Sequence, residues 1–358
     1  MEAEQPRFPV PSQGPLPLLP LALATVVVLV VVLLGACDAP TSNSSSTSSP
    51  AGTTIAHEQR VTPERARMLK ANEMGRIPVL MYHAIKQSIV PPERLREDIV
   101  LLKKAGFYPT TIRDMAEGRM DIPAGKSPVV LTFDDSSPTH YRILDDGSLD
   151  PDCAVAILQA AVADGDWASK ASFFPLLYVD PPANIVFGQP KYADRKLRNL
   201  VEWGYEIGSH TVTHQDLSKA TPNQIKKELA QSKSRLEKMI GGGYQIYTLN
   251  PPYGEYPDDV SILAAGEYEG TTYKYSAVLL AAGSSGPSPF SSKFDPMRVP
   301  RITAYPKNTV RDLVEYFGRH PELRFVSDGD PDSISMPENL PTGLGALRPD
   351  LKFRIVRY

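Results

Sequence analysis

The sequence predicts an α/β fold, either a (β/α) barrel or a doubly wound parallel sheet, for most of its 358 residues. Short apolar runs alternate repeatedly with amphipathic helical patterns, as they do in chains of βα units. Hydrophobic residues make up 42% and charged residues 22% of the chain, which is ordinary for a protein that buries a sizeable core.

The predicted elements follow one another along the chain. The predicted strands are 77–82, 107–112, 129–133, 171–177, 205–208 and 244–249. The predicted helices are 92–105, 152–163, 195–203, 221–240 and 258–265. The longest helix begins at Thr221-Pro222, and three glycines after Ile240 end it.

The N-terminal segment is predicted to export the protein and to hold it at a membrane. Leu16–Ala36 is almost entirely apolar, and small residues stand directly before Cys37. This pattern is typical of a bacterial lipoprotein, so residues 1–36 are predicted as a signal peptide or membrane anchor and Cys37 as the lipidated residue. An uncleaved transmembrane helix is the alternative, because the apolar stretch is long enough to span a bilayer. Either arrangement places the body outside the cytoplasm, anchored to the cell membrane.

The remaining chain divides by composition into three parts. Residues 37–72 are rich in Ser, Thr and Pro and are predicted to be a flexible tether. Residues 73–330 are predicted to be the catalytic domain, and residues 331–358 a tail that is a candidate for docking on it. A net charge of −3, with no block of Lys and Arg, argues against a nucleic-acid binder. We expect a monomer.

Two pairs of polar side chains follow predicted strands. Asp134 and Asp135 come after strand 129–133, and His210 and His214 come after strand 205–208. The four-residue spacing between His210 and His214 places both imidazoles on one face of a helix. Two imidazoles and one carboxylate suffice for a catalytic zinc, and the second carboxylate is suited to act as a base. Because the chemistry of (β/α) barrels lies at the carboxyl ends of the strands, the pairs predict a metal-dependent hydrolase.

These motifs, with the run 170–174 between them, resemble the polysaccharide deacetylases of the NodB-homology type (carbohydrate esterase family 4). The resemblance covers roughly 76–306 and implies a distorted (β/α) barrel. It also implies that Asp134 is the general base and that one divalent metal ion binds the other three side chains. The expected ion is Zn²⁺, with Co²⁺ or Ni²⁺ as alternatives. The implied ligands are Asp135, His210 and His214.

The third family motif is altered in this chain. Pro252, Tyr253 and Gly254 match it, which implies that the Tyr253 backbone N–H shares the developing oxyanion with the metal. The arginine that orients the base is replaced by Asn250. Arg298 or Arg301 could supply the missing charge, or the two could be ordinary surface arginines.

The late family histidine that protonates the leaving amine is also missing, and Ser327 stands near its expected place. His83, directly after the first predicted strand, resembles the histidine of a permuted subset that includes deacetylases acting on poly-N-acetylglucosamine. The resemblance implies that His83 is the acid, whereas a strand-capping histidine is the alternative. His140 has no ligand partner at useful spacing, and Tyr141 and Tyr178 are candidates for lining a groove.

The expected function is therefore removal of N-acetyl groups from a cell-surface or extracellular polysaccharide. Its expected partners are an acetylated polysaccharide and the membrane. Two alternatives remain: an O-acetyl esterase of the xylan type, and a glycan-binding protein on the same scaffold. Asn250 and the missing late histidine are the departures that favour the binding protein.

Overall fold

A parallel sheet with buried strands forms the centre of the protein. The structure is a computed structural model that describes residues 60–163, 165–178, 185–305 and 308–358. The central sheet comprises β1 (Val79–Tyr82), β2 (Phe107–Thr110), β3 (Ser127–Asp134), β4 (Ser172–Phe174), β5 (Glu206–Ile207) and β10 (Ile302–Thr303). All of its pairs are parallel, in the order β10-β1-β3-β4-β5, and β2 pairs with the first half of β3. Every residue of β3 is buried, as expected for a strand covered on both faces.

Three smaller pairs complete the strands of the described chain. β6 (Thr248–Leu249) pairs in parallel with β9 (Ala277–Val278). β7 (Ala265–Tyr268) and β8 (Thr271–Lys274) form an antiparallel hairpin. β11 (Ser333–Met336) and β12 (Arg354–Arg357) pair in parallel.

Single bridges connect the central sheet to the β6–β9 pair on both sides. Ser209 bridges to Leu249 beyond the end of β5, and Leu279 bridges to Val299 shortly before β10. The strands thus follow one another in the cyclic order expected of a barrel, although the regular ladders among the described residues do not close it. The predicted α/β class is confirmed. The barrel is distorted at two weakly paired seams, one between β5 and β6 and the other between β9 and β10.

The helices pack against these strands and are short except where the sequence pattern is strong. The helices are α1 (Pro63–Leu69), α2 (Pro92–Lys104), α3 (Ile112–Ala116), α4 (Ala154–Ala163), α5 (Ala193–Glu202), α6 (Pro222–Ile240), α7 (Ser261–Ala264) and α8 (Thr309–Arg319). A capping box between Thr221 and Gln224 starts α6, and Gly241, with a φ of 74°, ends it.

Several predicted elements are shorter than expected. The strand predicted over 107–112 ends at Thr110, because the Thr111 hydroxyl accepts a hydrogen bond from the Asp114 N–H and starts α3. The strand predicted over 244–249 pairs only at 248–249. The helix predicted over 258–265 is limited to α7, since Ala265 takes an extended conformation and opens the β7–β8 hairpin. Helices α1, α3 and α8 had no counterpart among the predicted helices.

The folded part begins earlier than residue 73. Helix α1 lies inside the range 37–72 that was predicted as a tether, and its Ala66 packs with Val61, Ala71 and Val356. The segment Leu16–Ala36 and Cys37 lie outside the described residues. Among the helices that the structure describes, none combines the length and apolar character needed to cross a membrane.

The C-terminal residues pack on the rest of the domain. Ile334 and Met336 of β11 are buried in an apolar cluster with Ile77 and Phe325. The Ser335 N–H also donates to the Glu73 carboxylate at 2.7 Å. Residues 333–336 are therefore part of the core.

Candidate active site

The ends of β3 and β5 bring three ligand-type side chains together. Oδ1 of Asp135 lies 3.1 Å from Nε2 of His210 and 3.3 Å from Nε2 of His214. One ligand atom from each residue lies within 4.8 Å of the others. The positive φ of Asp135, 67°, turns its carboxylate away from β3 toward the histidines. The juxtaposition predicted from the two motifs is therefore present.

The two histidines lie in a loop and not on one face of a helix. Thr211 and His214 both have a positive φ, of 67° and 60°, which a helix does not contain. A carboxylate on α6 holds this loop: Glu228 accepts hydrogen bonds from the N–H groups of Val212 and Thr213 at 2.7 and 2.9 Å. Glu228 also accepts from the Thr213 hydroxyl. The helical geometry expected from the His-x-x-x-His spacing was wrong.

A backbone carbonyl fixes the tautomer of His210. Nδ1 of His210 lies 2.6 Å from the carbonyl oxygen of Asn250. Because a carbonyl oxygen only accepts, Nδ1 carries the hydrogen and Nε2 presents its lone pair toward Asp135. Nδ1 of His214 lies 3.1 Å from the Tyr253 hydroxyl, which can accept the corresponding hydrogen. Outer partners of this kind are typical of metal-binding histidines.

The donor set fits a divalent metal ion of the zinc type. Two imidazole nitrogens and a carboxylate oxygen are ligands that zinc accepts in open, three-residue catalytic sites. Burial raises the pKa of Asp135, but the neighbouring His210 and His214 outweigh it and hold that pKa below its ordinary value. The Asp135 carboxylate is therefore ionised at neutral pH.

Asp134 forms a buried ion pair with Arg301. Nη1 of Arg301 lies 2.9 Å from both carboxylate oxygens, and both side chains are almost fully buried. Burial would raise the pKa of Asp134, but the Arg301 guanidinium outweighs it and the pKa lies below its ordinary value. Asp134 is therefore ionised, as a general base must be.

Arg301 occupies the role that the sequence left open between two arginines. Its Nε donates to the Leu280 carbonyl at 2.7 Å, and its Nη2 donates to Oδ1 of Asn250 at 2.9 Å. Arg298 instead lies over the Tyr256 ring, 5.1 Å from its centroid. Asn250, which stands at the position of the family arginine, thus binds the arginine that replaces it.

His83 borders the same cavity as Asp135. This cavity, of about 570 Å³, is also lined by Lys86, Ser137 and Tyr305. The His83 ring is half-buried and meets the edge of the Tyr305 ring, with the centroids 6.2 Å apart. Its imidazole therefore faces the site and not the core, and its role as the acid stays a prediction.

Four other residues that the sequence singled out lie elsewhere or have other contacts. The Ser327 hydroxyl donates to the Ile122 carbonyl and borders a small cavity away from the metal ligands. Tyr141 is buried and cannot line a groove, whereas the Tyr178 ring is 62% exposed. His140 is no ligand, but its Nε2 donates to the carbonyl oxygen of His83. Glu228 and this contact of His140 had no counterpart in the local sequence pattern.

Part of this site lies in a segment that matches a known protein family. The family model described as polysaccharide deacetylase matches residues 162–271. This range of the chain is similar to the polysaccharide deacetylases. The matched range includes His210, His214 and Tyr253 but begins after Asp134 and Asp135. The fold brings the carboxylate of Asp135, outside the matched range, to the matched histidines.

Known proteins are similar to the chain at low identity. The curated protein YxkH of Bacillus subtilis (strain 168), named for the same family, is 23% identical over 219 residues, which cover 59% of this chain and 68% of YxkH. The Streptococcus pyogenes deacetylase PplD, solved in complex with acetate, is 22% identical, with a TM-score of 0.48 over 67% of this chain and 97% of PplD. IcaB from Ammonifex degensii is 17% identical, with a TM-score of 0.48 over 68% of this chain and 97% of IcaB.

The Glu228 contacts predict an effect on metal affinity. In a Glu228→Met variant the backbone N–H groups of Val212 and Thr213 both lose their shared acceptor, Oε2, and the Thr213 hydroxyl loses Oε1. The histidine loop should loosen, and zinc affinity should fall about 10- to 100-fold. Competition with a chromogenic chelator measures this, and Lys227→Met, an exposed change on the same helix, should leave affinity unchanged. Parental affinity in Glu228→Met would contradict the role given to Glu228.

The ion pair predicts a pH effect with a definite sign. Arg301→Met removes the largest charge that opposes the burial of Asp134, so the pKa of Asp134 should rise and the acid limb of kcat/KM should move to higher pH. Arg301→Lys keeps a cation and should shift the limb less. The stabilisation from this pair exists above the unfolded-state pKa and is lost as the pH falls through the lower folded-state pKa. An acid limb that does not move in Arg301→Met would mean that another group is the base.

Proposed function

We propose that this protein is a metal-dependent deacetylase that removes N-acetyl groups from a cell-surface or extracellular polysaccharide. One observation carries the proposal: Asp135, His210 and His214 converge beside an ionised Asp134 that Arg301 holds in place. The match of the segment that contains both histidines to the polysaccharide deacetylase family gives the substrate class.

Each residue of the site has a defined task in this reaction. Asp135, His210 and His214 would hold the metal, which when bound polarises the acetyl carbonyl and makes water more acidic. Asp134 takes a proton from the attacking water, since it is ionised and aligned by Arg301. His83, which borders the same cavity as Asp135, gives a proton to the departing amine. The Tyr253 backbone N–H stabilises the negative charge on the carbonyl oxygen.

The ion pair of Arg301 and the position of His83 argue against the two alternative functions. A glycan-binding protein has no need for a buried ion pair on its base, and Arg301 supplies the charge whose absence at Asn250 favoured that alternative. An O-acetyl esterase would use the same base and metal but needs its acid less, because an alkoxide leaves more easily than an amine. His83 at the cavity wall therefore favours the amide substrate.

The choice of zinc is part of the proposal and follows from the two imidazole ligands. Extracytoplasmic location and anchoring through Cys37 are proposed from the sequence alone. Cys37→Ser should remove a metabolic lipid label and move the protein from the membrane fraction to an uncleaved or soluble form. Unchanged anchoring, with no label on the parent, would mean that a transmembrane helix is the anchor.

The activity itself is tested with Asp134→Asn. An amide cannot accept the proton from water, so acetate release should fall about 10²–10⁴-fold while the zinc content stays at one per chain. Acetate release is measured on N-acetylated chitooligosaccharides, poly-N-acetylglucosamine, peptidoglycan and acetylated xylan. Parental turnover in Asp134→Asn would show that its role is wrong. Release from xylan alone would favour the esterase, and no release from any substrate by a zinc-loaded parent would favour the binding protein.

The role of His83 predicts a difference between substrates. Expulsion of an amine depends on protonation more strongly than expulsion of an activated phenolate. His83→Ala should therefore slow deacetylation of the N-acetylated sugar about 10²–10⁴-fold and hydrolysis of 4-nitrophenyl acetate far less. Equal losses on the two substrates would reduce His83 to a structural residue.

A further inference from the structure

The backbone around His83 is held by the segment that follows the metal ligand Asp135. β1 ends at Tyr82, so strand pairing no longer fixes the chain at His83. Instead, the His83 carbonyl accepts a hydrogen bond from Nε2 of His140, and the Ile85 N–H donates to the Thr139 hydroxyl at 2.9 Å. The carbonyl and the N–H that leave the sheet are thus both satisfied by neighbouring side chains.

The His140 ring is buried and keeps one tautomer. Its ring meets the edges of Phe133, Phe173 and Phe187 at centroid distances of 5.4, 6.4 and 6.5 Å. Because the His83 carbonyl can only accept, Nε2 of His140 carries the hydrogen, and the buried Nδ1 has no partner among the described residues. Burial lowers the pKa of His140 to about 4, so the ring stays a neutral donor at neutral pH.

Helix α4 fixes the backbone that carries this ring. The N–H of Ala154, the first residue of α4, donates to the Thr139 carbonyl at 3.0 Å. The next N–H, of Val155, donates to the His140 carbonyl at 2.9 Å. These groups have no acceptor within their own helix, so the bonds satisfy α4 and hold residues 139–140 at the same time. A continuous line of contacts therefore leads from α4 through His140 to His83.

The His83 imidazole depends on this support more than most histidines do. Its Nδ1 is buried and has no hydrogen-bond partner in the part of the chain that the structure describes. The ring also meets the edge of the Tyr305 ring. With no hydrogen bond at Nδ1 to orient the ring, its position follows from the backbone to which it is attached.

We propose that His140 is a positioning residue for the reaction: by donating to the His83 carbonyl it holds the His83 imidazole where the departing amine receives its proton. The inference rests on the proposed function of His83 as the acid. It gives His140 a role in proton delivery without contact to substrate or metal. A displacement of about 1 Å in such a group is enough to cost about 100-fold in rate.

The test compares two substitutions of similar length that differ in the donor. His140→Met fills the space without a donor, whereas His140→Gln keeps an N–H near the position of Nε2. In His140→Met, kcat for an N-acetylated chitooligosaccharide should fall about 10- to 100-fold with KM unchanged, because only proton delivery is impaired. Hydrolysis of 4-nitrophenyl acetate should fall less than about threefold, and zinc content and affinity should match the parent.

His140→Gln should recover most of the lost kcat although it buries an additional amide oxygen and should be the less stable of the two. Activity and thermal stability would then rank the variants in opposite orders, which a merely structural role does not produce. Gln losing as much kcat as Met, or Met losing equally on both substrates, would overturn the inference.

Failure of this inference is distinguishable from failure of the proposed function. If His83→Ala itself affects both substrates equally, the role of His83 is wrong, and the role of His140 with it. If His83→Ala separates the substrates and His140→Met does not, only the positioning role is wrong.

A second pair of variants covers the case in which His140→Met does not fold. Thr139→Val removes the acceptor of the Ile85 N–H with little change of shape, and Thr139→Ser retains it. Thr139→Val should show the same loss of kcat on the amide, at the lower end of the 10- to 100-fold range, and Thr139→Ser should resemble the parent. Parental activity of Thr139→Val on both substrates would overturn the inference.

Discussion

The buried ion pair between Asp134 and Arg301 is the constraint around which the rest of the site is arranged. Removing two charges from water costs several kcal/mol per ion, and only near-complete hydrogen bonding offsets that cost. Arg301 meets this condition, since it also bonds to the Leu280 carbonyl and the Asn250 side chain. The pair joins the end of β3 to the start of β10, two strands that are separated in the sheet by β1. It therefore ties the proposed base to a strand two positions away in the sheet and keeps its carboxylate ionised.

Two of the three proposed metal ligands have backbone conformations that residues with a Cβ atom rarely adopt. Asp135 and His214 both have a φ in the left-handed region, which disfavours residues with a Cβ atom. Such conformations persist only where surrounding contacts over-determine them. Here those contacts are the Glu228 carboxylate on the histidine loop and the Asn250 carbonyl on His210. The site is thus stabilised by Glu228 and Asn250, which have no proposed role in the reaction itself.

The sequence was sufficient to predict an element or a site residue wherever the physical cause lies in neighbouring residues. The α6 helix could be placed to within one residue because its capping box and terminal glycine are adjacent to its apolar pattern. The types of the metal ligands followed from two short motifs. By contrast, β6 and β10 have two residues each and exist only through pairing with distant strands, so no periodicity marks them.

The contacts that hold the site together were likewise not predictable from the sequence. Arg301 lies 167 residues from Asp134, and the His140 donor lies 57 residues from its acceptor in His83. Such contacts are set by the tertiary fold and leave no pattern within a short window of sequence.

The seam between β5 and β6 has a consequence for how the protein opens. It is held by two backbone hydrogen bonds, from Ser209 to Thr248 and from Asn250 to Ser209, where the central pairs have full ladders. Regions with few such bonds separate at lower free energy than the global transition. His210 directly follows this seam, and Asp135 belongs to the strand end on the firmly paired side. An ion bound by both residues would link the two sides of this weakly paired seam, so amide hydrogen exchange at Ser209 and Asn250 should slow when the metal is bound.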